Sequence, residues 1–243
     1  MKENYLSRMN RDLRAEVKAT YQRIAKEFDA SRSSRHTEEF DLIQKLIPEG
    51  AKILDVGCGN GRLLAYFQEK NKMVDYTGVD FCPELLAIAK KKHPKAVFVE
   101  QDIADLHLEE RFDRIVCSAT FHHLPTKALR TRALQKIFEH LSDRGILFLS
   151  VWNLWQFRYW KVWLSSGLTR DLFIPFGKEK VLRYYHAFFP FEMKSLLTEA
   201  GFQIDEYYSL QHNFIFICRK KVLVTPMNPL FVAQKDFVQS SPA

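Results

Sequence analysis

Apolar and polar positions follow two rhythms along the chain. Across residues 7–30, Leu13, Val17, Tyr21, Ile24, Ala25 and Phe28 recur at spacings of three and four, which predicts one amphipathic helix. Ser31-Arg32-Ser33-Ser34-Arg35 interrupts that stripe, and a second helix fits residues 38–46 before Pro48. From Lys52 onward short apolar runs alternate with helical patterns. Strands are predicted at 52–56, 75–80, 96–100, 112–117 and 145–152, with helices at 61–70, 83–92 and 126–141. Such alternation implies a parallel sheet with helices on both faces, and a ligand at the carboxyl ends of the strands where their order reverses. After Val151 the rhythm stops for almost forty residues, and a stretch that long carries function or structure of its own. A helix at 191–200 ends before Gly201, and 202–210 and 213–219 read as a closing antiparallel pair. From Val222 the chain contains Pro226, Pro229 and Pro242 and lacks periodicity, so a loosely attached tail is expected. The expected organisation is an N-terminal helical segment (1–36), a main domain (37–220) with an insertion (153–190), and a tail (221–243).

One run changes the picture most. Ile53-Leu54-Asp55-Val56-Gly57-Cys58-Gly59-Asn60-Gly61 joins a buried strand to a helix through three glycines at alternate positions. Without a Cβ the backbone turns sharply and approaches a ligand closely, and the free N–H groups of the following helix start face that ligand. A dinucleotide fingerprint spaces its glycines G-x-G-x-x-G, whereas this is D-x-G-x-G-x-G with an acid in front. The acid favours a ligand with a cationic amino-acid portion, such as S-adenosylmethionine, whose ammonium Asp55 would hold. A nicotinamide site or a plain strand-to-helix turn is the alternative.

Two further acids fall at strand ends. Asp80 lies 19 residues beyond Gly61 and suits ribose hydroxyls. Asp102 ends the third strand, where its carboxylate would accept from an adenine amino group while Ile103 packs on the ring. Each alone fits a helix cap or loop start; three in register point to one ligand. Cys58, Phe81 and Ser118 adjoin the same loops and complete the cofactor-binding candidates. Over residues 37–220 the arrangement resembles the class I S-adenosylmethionine-dependent methyltransferases. The resemblance implies an α/β Rossmann-like fold with a mostly parallel seven-stranded sheet and an antiparallel last strand, here with N-terminal helices and an insertion after the fifth strand.

Composition sets limits. With 243 residues, 47% of them hydrophobic and 20 of them Phe, one core with decorations is expected. No apolar run reaches the ~18 residues that span a bilayer, and the N-terminus lacks a secretory apolar stretch, so a cytoplasmic protein without membrane association is expected. Cys58, Cys82, Cys117 and Cys218 are widely spaced without a C-x-x-C pair, which predicts reduced thiols and no metal site. The net charge of +7 favours a polyanionic partner. Residues 153–190 hold six Lys and Arg against Asp171 and Glu179, interleaved with eleven aromatics from Trp155 to Phe189. That mixture suits phosphate contact with base stacking, or else an aromatic lid packed on its own domain.

Four stretches narrow the resemblance: Tyr21-Gln22-Arg23-Ile24-Ala25-Lys26-Glu27-Phe28-Asp29-Ala30-Ser31-Arg32, Phe121-His122-His123-Leu124-Pro125-Thr126, Ser150-Val151-Trp152-Asn153 and Arg183-Tyr184-Tyr185-His186-Ala187-Phe188. Across residues 19–219 they look like the tRNA wobble-uridine carboxymethyl methyltransferases. That resemblance implies methyl esterification of 5-carboxymethyluridine in the tRNA anticodon loop, and a small zinc-binding activator protein for eukaryotic members. The chain departs from the family after Arg32, where Ser33-Ser34-Arg35-His36-Thr37 replaces a Pro-Trp-Pro-like stretch.

A carboxylate acceptor is ionised at neutral pH and needs no strong base, so the chemistry asks for alignment and a cationic seat. Arg32 and Arg183 are the candidates for that seat, since a guanidinium holds a carboxylate or phosphate in bidentate fashion. Tyr185 and His186 are candidates for orienting the acceptor; of His122 and His123, one is expected to line its pocket and the other to pack, with His122 taken as the site candidate. The competing expectations are a surface position for Arg32, and a salt-bridged knot at Arg183 and His186. Tyr21 and Phe28 read as core residues of a segment that closes over the donor. A small-molecule carboxyl, O- or C-methyltransferase, or a non-catalytic cofactor-binding subunit, stays open beside the tRNA reading.

Overall fold

A computed structural model describes residues 12–32 and 38–221. The first helix, α1 (Leu13–Arg32), buries Leu13, Val17, Tyr21, Ile24 and Ala25 along the expected stripe. It runs through Ser31 and Arg32, where the sequence pattern suggested a break. Ser31 Oγ donates to the Phe28 carbonyl at 2.8 Å and the Arg32 guanidinium lies over the Phe28 ring at 5.1 Å, so both residues complete the last turn. The expectations for residues 7–11, 33–37 and the tail from Val222 lie outside the described residues.

Helix α2 (Glu38–Leu46) precedes the sheet. The sheet strands are β1 (Lys52–Val56), β2 (Asp75–Asp80), β3 (Val97–Glu100), β4 (Phe112–Cys117), β5 (Leu141–Trp152), β8 (Phe202–Ser209) and β9 (Asn213–Lys220). Their order is β3-β2-β1-β4-β5-β9-β8. β1, β2, β3, β4 and β5 pair in parallel, and β9 runs antiparallel to both β5 and β8. The chain therefore leaves β1 in opposite directions through β2 and β4, which opens a crevice above that strand pair. α3 (Arg62–Glu69), α4 (Pro83–Lys92), α5 (Lys127–His140) and α7 (Pro190–Glu199) are the remaining long helices.

Strands covered on both faces need continuous apolar runs, and β1 buries Ile53, Leu54 and Val56 completely. On one face Leu54, Val56, Ile115 and Leu149 pack with Ala133, Leu134 and Ile137 of α5 and with Leu196 and Leu197 of α7. On the other, Ile53, Val116 and Phe148 meet Phe40 and Ile43 of α2 and Leu63 and Phe67 of α3. β5 starts at Leu141, four residues before the expected strand, because Leu141 already pairs with Phe112.

The insertion is structured. A short helix, α6 (Trp160–Ser165), leads into the antiparallel hairpin of β6 (Asp171–Phe176) and β7 (Val181–His186), which pair only with each other. Period-two reading was masked there by Pro175 and by the inward-facing Arg183. The hairpin tip docks on α1: Lys178 N–H donates to Glu27 Oε1 at 2.9 Å, and Tyr184 joins the cluster of Leu13, Val17 and Tyr21. α1 thus roofs the crevice, with the hairpin as its outer wall. Among the described residues no helix is long and apolar enough to cross a membrane.

Candidate functional site

Beneath that roof lies a cavity of about 120 Å³ at the carboxyl ends of β1, β2, β4 and β5. Asp55, Gly57, Cys58, Gly59, Asp80, Phe81 and Ser118 line it, together with Arg32, Arg183 and Tyr185. Asp102 and Ile103 line a smaller adjoining cavity that shares Phe81, Thr120 and His123 with the first. The donor-type and acceptor-type candidates therefore meet in one crevice.

The glycine turn is built for close approach. Gly57 has φ +76°, and a Cβ there would stand 2.3 Å from the Thr120 side chain, so the loop after β4 is seated against bare backbone. Gly59 also has positive φ, yet nothing approaches an added Cβ closer than Leu85 and Phe28 at 4.0 Å. A side chain at 59 would fill the cavity itself. Gly61 caps the start of α3 against His93 and is not among the residues lining the cavity.

Electrostatics distinguish the acids. Asp55 is buried and accepts from Tyr76 Oη at 2.7 Å; burial pushes its carboxyl up to about 7, with the Asp80 charge adding to the rise. A buried carboxyl poised near neutrality is a seat for a cation, which would restore its charge. Asp80 accepts from the N–H groups of Gly59 and Cys82, both at 2.9 Å, and burial raises it to about 6 against those bonds. Each oxygen keeps a lone pair for a hydroxyl donor. Asp102 caps the turn at Ala104 through Oδ1 (2.8 Å), while Oδ2 accepts from Arg14 Nε at 2.7 Å. Arg14 also reaches Asp105, so α1 closes the second cavity with an ion pair.

The acceptor side is cationic and aromatic. Arg183 is 4% exposed, and its guanidinium lies 4.4 Å from the Phe176 ring centroid, 5.2 Å from Tyr185 and 5.7 Å from Trp152. Its Nε and the Tyr185 hydroxyl are buried without a hydrogen-bond partner. Orphaned buried donors are expensive, and two of them on one cavity wall mark the place where a ligand's acceptor atoms belong. Arg32 enters from the last turn of α1, as a cavity residue and not merely a surface one.

Two candidates lie outside the cavity lining. His123, not His122, lines the cavity. His122 packs behind it, fully buried, stacked on Tyr185 at 5.0 Å and accepting from Trp152 N–H at 3.2 Å. His186 does not line the cavity: its ring nitrogens lie 2.8 Å from Asp171 and 3.1 Å from Glu192, the salt-bridged knot at the base of the hairpin. β7 alternates, so Arg183 and Tyr185 share a face toward the cavity, and one residue later His186 points away. Residues that the sequence reading left out of the site include Arg14, Thr120 and Trp152. The Ser150–Asn153 stretch had singled out Trp152's neighbourhood; Arg14 carried no signal, because its partners lie 88 and 91 residues away.

The residues present fit S-adenosylmethionine: a near-neutral buried carboxyl for its ammonium, a backbone-held carboxylate for its ribose, and the Asp102–Ile103 cavity for its adenine. A family profile described as Methyltransferase domain matches residues 9–207. The chain is 26% identical to the tRNA (carboxymethyluridine(34)-5-O)-methyltransferase of Schizosaccharomyces pombe, over 84% of this chain and 96% of that one. It is 30% identical to an aminosugar N,N-dimethyltransferase of Streptomyces fradiae, over 48% of this chain and 47% of that protein. Among solved structures, the 1,6-didemethyltoxoflavin-N1-methyltransferase of Burkholderia thailandensis with S-adenosylhomocysteine superposes with a TM-score of 0.65 at 22% identity, covering 86% of this chain and 88% of the other.

Proposed function

The chain belongs to the methyltransferase domain family and is an S-adenosylmethionine-dependent methyltransferase, and from that premise we propose that its acceptor is the carboxymethyl group of a modified wobble uridine in tRNA. The observation that carries this reading is the cationic seat. Arg183, buried with an orphaned Nε, and Arg32 face the same cavity as the donor-binding acids. The similarity to the Schizosaccharomyces pombe enzyme, over 84% of this chain and 96% of that one, supports it.

S-adenosylmethionine, when bound, supplies a methyl group on an electrophilic sulfonium. The chain's own residues then do four things. Asp55 would hold the ammonium, Asp80 the ribose hydroxyls, and Asp102 with Ile103 the adenine. Arg183 and Arg32 seat the acceptor carboxylate and leave one oxygen lone pair for attack. Tyr21, His123 and Tyr185 wall the cavity and keep water out. No residue needs to remove a proton, which suits His123: burial holds it neutral, with its pKa down at about 3.

The Streptomyces fradiae similarity raises the alternative of a small amine acceptor. Two guanidiniums at the seat disfavour it, because an amine is cationic before methylation. A small carboxylic acid is the reading that remains beside tRNA.

The test is methyl transfer from labelled S-adenosylmethionine to tRNA bearing 5-carboxymethyluridine, alongside nucleoside mass spectrometry of tRNA from cells with and without the protein. Because the family resemblance implies an activator, the transfer assay is run with and without a zinc-binding partner. Loss of the methyl ester and accumulation of the free acid are expected. An unchanged nucleoside profile rejects the tRNA acceptor.

A further inference from the structure

The insertion divides its aromatic residues in two. Tyr184, Tyr185 and Phe188 are buried, whereas Phe157 is 85% and Phe191 69% exposed. Exposed Trp155 and Phe191 are ordered through the half-buried rings of Trp163 and Phe189. Trp163 and Trp155 stack at 4.5 Å and 26°, Trp155 and Phe189 at 4.0 Å and 18°, and Phe189 and Phe191 at 5.1 Å and 14°. These four rings form a column of near-parallel planes with Phe191 at its open end. The column is held from inside: Trp163 Nε1 donates to the Leu154 carbonyl at 3.0 Å and Trp155 Nε1 to the Phe188 carbonyl at 2.8 Å. A second exposed pair, Phe157 and Trp160, lies parallel within 19°.

Charge accompanies the rings. From Asn153 to Arg170 the chain has three cations and no acid. Arg158 lies over Tyr159 at 4.8 Å and Lys161 over Trp160 at 5.5 Å, both exposed to solvent. Flat π-faces of fixed orientation beside exposed cations match bases and phosphates together. A buried lid would have covered Phe191 and Phe157, and it does not. The place is also suitable. Trp155 follows the cavity residue Trp152 by three positions, a reach of at most ~11 Å even for extended chain, and Phe191 stands two stacked rings beyond it.

We propose that the ring column ending at Phe191, with the Arg158 and Lys161 cations of the insertion, is a stacking platform for an unpaired base of the single-stranded RNA whose acceptor nucleotide is seated in the cavity. That the RNA is a tRNA anticodon loop rests on the wobble-uridine reading; the platform rests on the rings and charges. Leu164 and Leu168 of the insertion are exposed apolar residues as well.

The experiment measures binding of a fluorescent anticodon stem-loop RNA, and of a single-stranded heptaribonucleotide, to the full chain by anisotropy. It compares Phe191→Ala, Phe191→Trp, Phe157→Ala and Lys161→Gln, with calorimetric S-adenosylhomocysteine binding and thermal melting as controls. Phe191→Ala is expected to weaken RNA binding by about ten-fold, Phe191→Trp to restore it, and Lys161→Gln to flatten the log–log salt dependence by about 0.7, with the controls unmoved. If Phe191→Ala binds RNA like the parent, the platform is rejected. It is equally rejected if Phe191 and Phe157 prove necessary for binding vesicles containing phosphatidylserine and not for binding RNA. Phe191-dependent RNA binding without methyl ester formation upholds the platform and removes the wobble-uridine reading. Normal esterification of tRNA by Phe191→Ala with unchanged affinity does the reverse.

Discussion

Tyr21 Oη donates to His123 Nε2 at 2.7 Å, and the tautomer follows from the other side of the ring. His123 Nδ1 lies 2.8 Å from the Tyr184 carbonyl, which can only accept, so Nδ1 carries the proton and Nε2 is the acceptor. One imidazole thereby ties the roof helix, the loop after β4 and the insertion hairpin into a single wall of the cavity.

Removing the hydroxyl with Tyr21→Phe leaves Nε2 buried without a donor. A cost of about 1–3 kcal/mol is expected, read as a fall in melting temperature of roughly 2–4 °C per kcal/mol for a chain of this size. Donor affinity should weaken in parallel because the roof loosens. A variant that melts and binds S-adenosylhomocysteine like the parent would show that the bond carries neither role.

Asp55 makes donor binding depend on pH. Its carboxyl, raised to about 7, is neutral below that value and cannot hold an ammonium. S-adenosylmethionine affinity should therefore rise with pH and level off above pH 7. Calorimetric titration from pH 5.5 to 8.5 checks this, and Asp55→Asn should flatten the curve at weak affinity.

The same residue trades stability for binding. Its folded pKa lies above the unfolded value of about 3.9, so the folded chain holds the proton more tightly, and stability is lost as pH rises from ~4 through ~7. Asp55→Asn removes that penalty, so the ligand-free variant should melt higher than the parent at pH 8 and no higher at pH 4. Equal melting at pH 8 would contradict the assignment.

Arg183→Lys tests the seat itself. The guanidinium fits between the Phe176 and Tyr185 rings as a plane, which an ammonium does not reproduce. Both Arg183→Lys and Arg183→Ala should lower kcat/KM by on the order of 100-fold, about 2.7 kcal/mol, with donor affinity unchanged. Steady-state kinetics together with donor titration separate this outcome from loss of folding.

At Gly57 sterics and backbone conformation can be separated. Gly57→Ala places a Cβ 2.3 Å from Thr120 at φ +76° and should abolish donor binding. Adding Thr120→Gly removes the clash but not the left-handed strain of about 1–2 kcal/mol, so binding should return only in part. Full recovery would mean that the contact alone governs the turn.

Much of this protein is legible along the chain because it depends on neighbours in sequence. Strands covered on both faces require apolar runs, a stripe repeating every three or four residues requires a helix, and the glycine turn with its acid is nine consecutive residues. The donor-side candidates follow, since Asp55 and Asp80 lie at the ends of β1 and β2 and Asp102 two residues past β3. The acceptor half does not. Arg183 and His186 stand three residues apart, with equal chemical promise, and only the facing of β7 sends one into the cavity and the other to Asp171 and Glu192. His122 and His123 are adjacent, and a single 3₁₀ turn decides which meets Tyr21. Arg14 reaches Asp102 across 88 positions, and Phe191 joins a ring column with residues nearly thirty and forty positions earlier. Local propensity determined the scaffold and the donor turn; long-range packing decided which side chains face the cavity, because orientation depends on partners the chain meets only after folding.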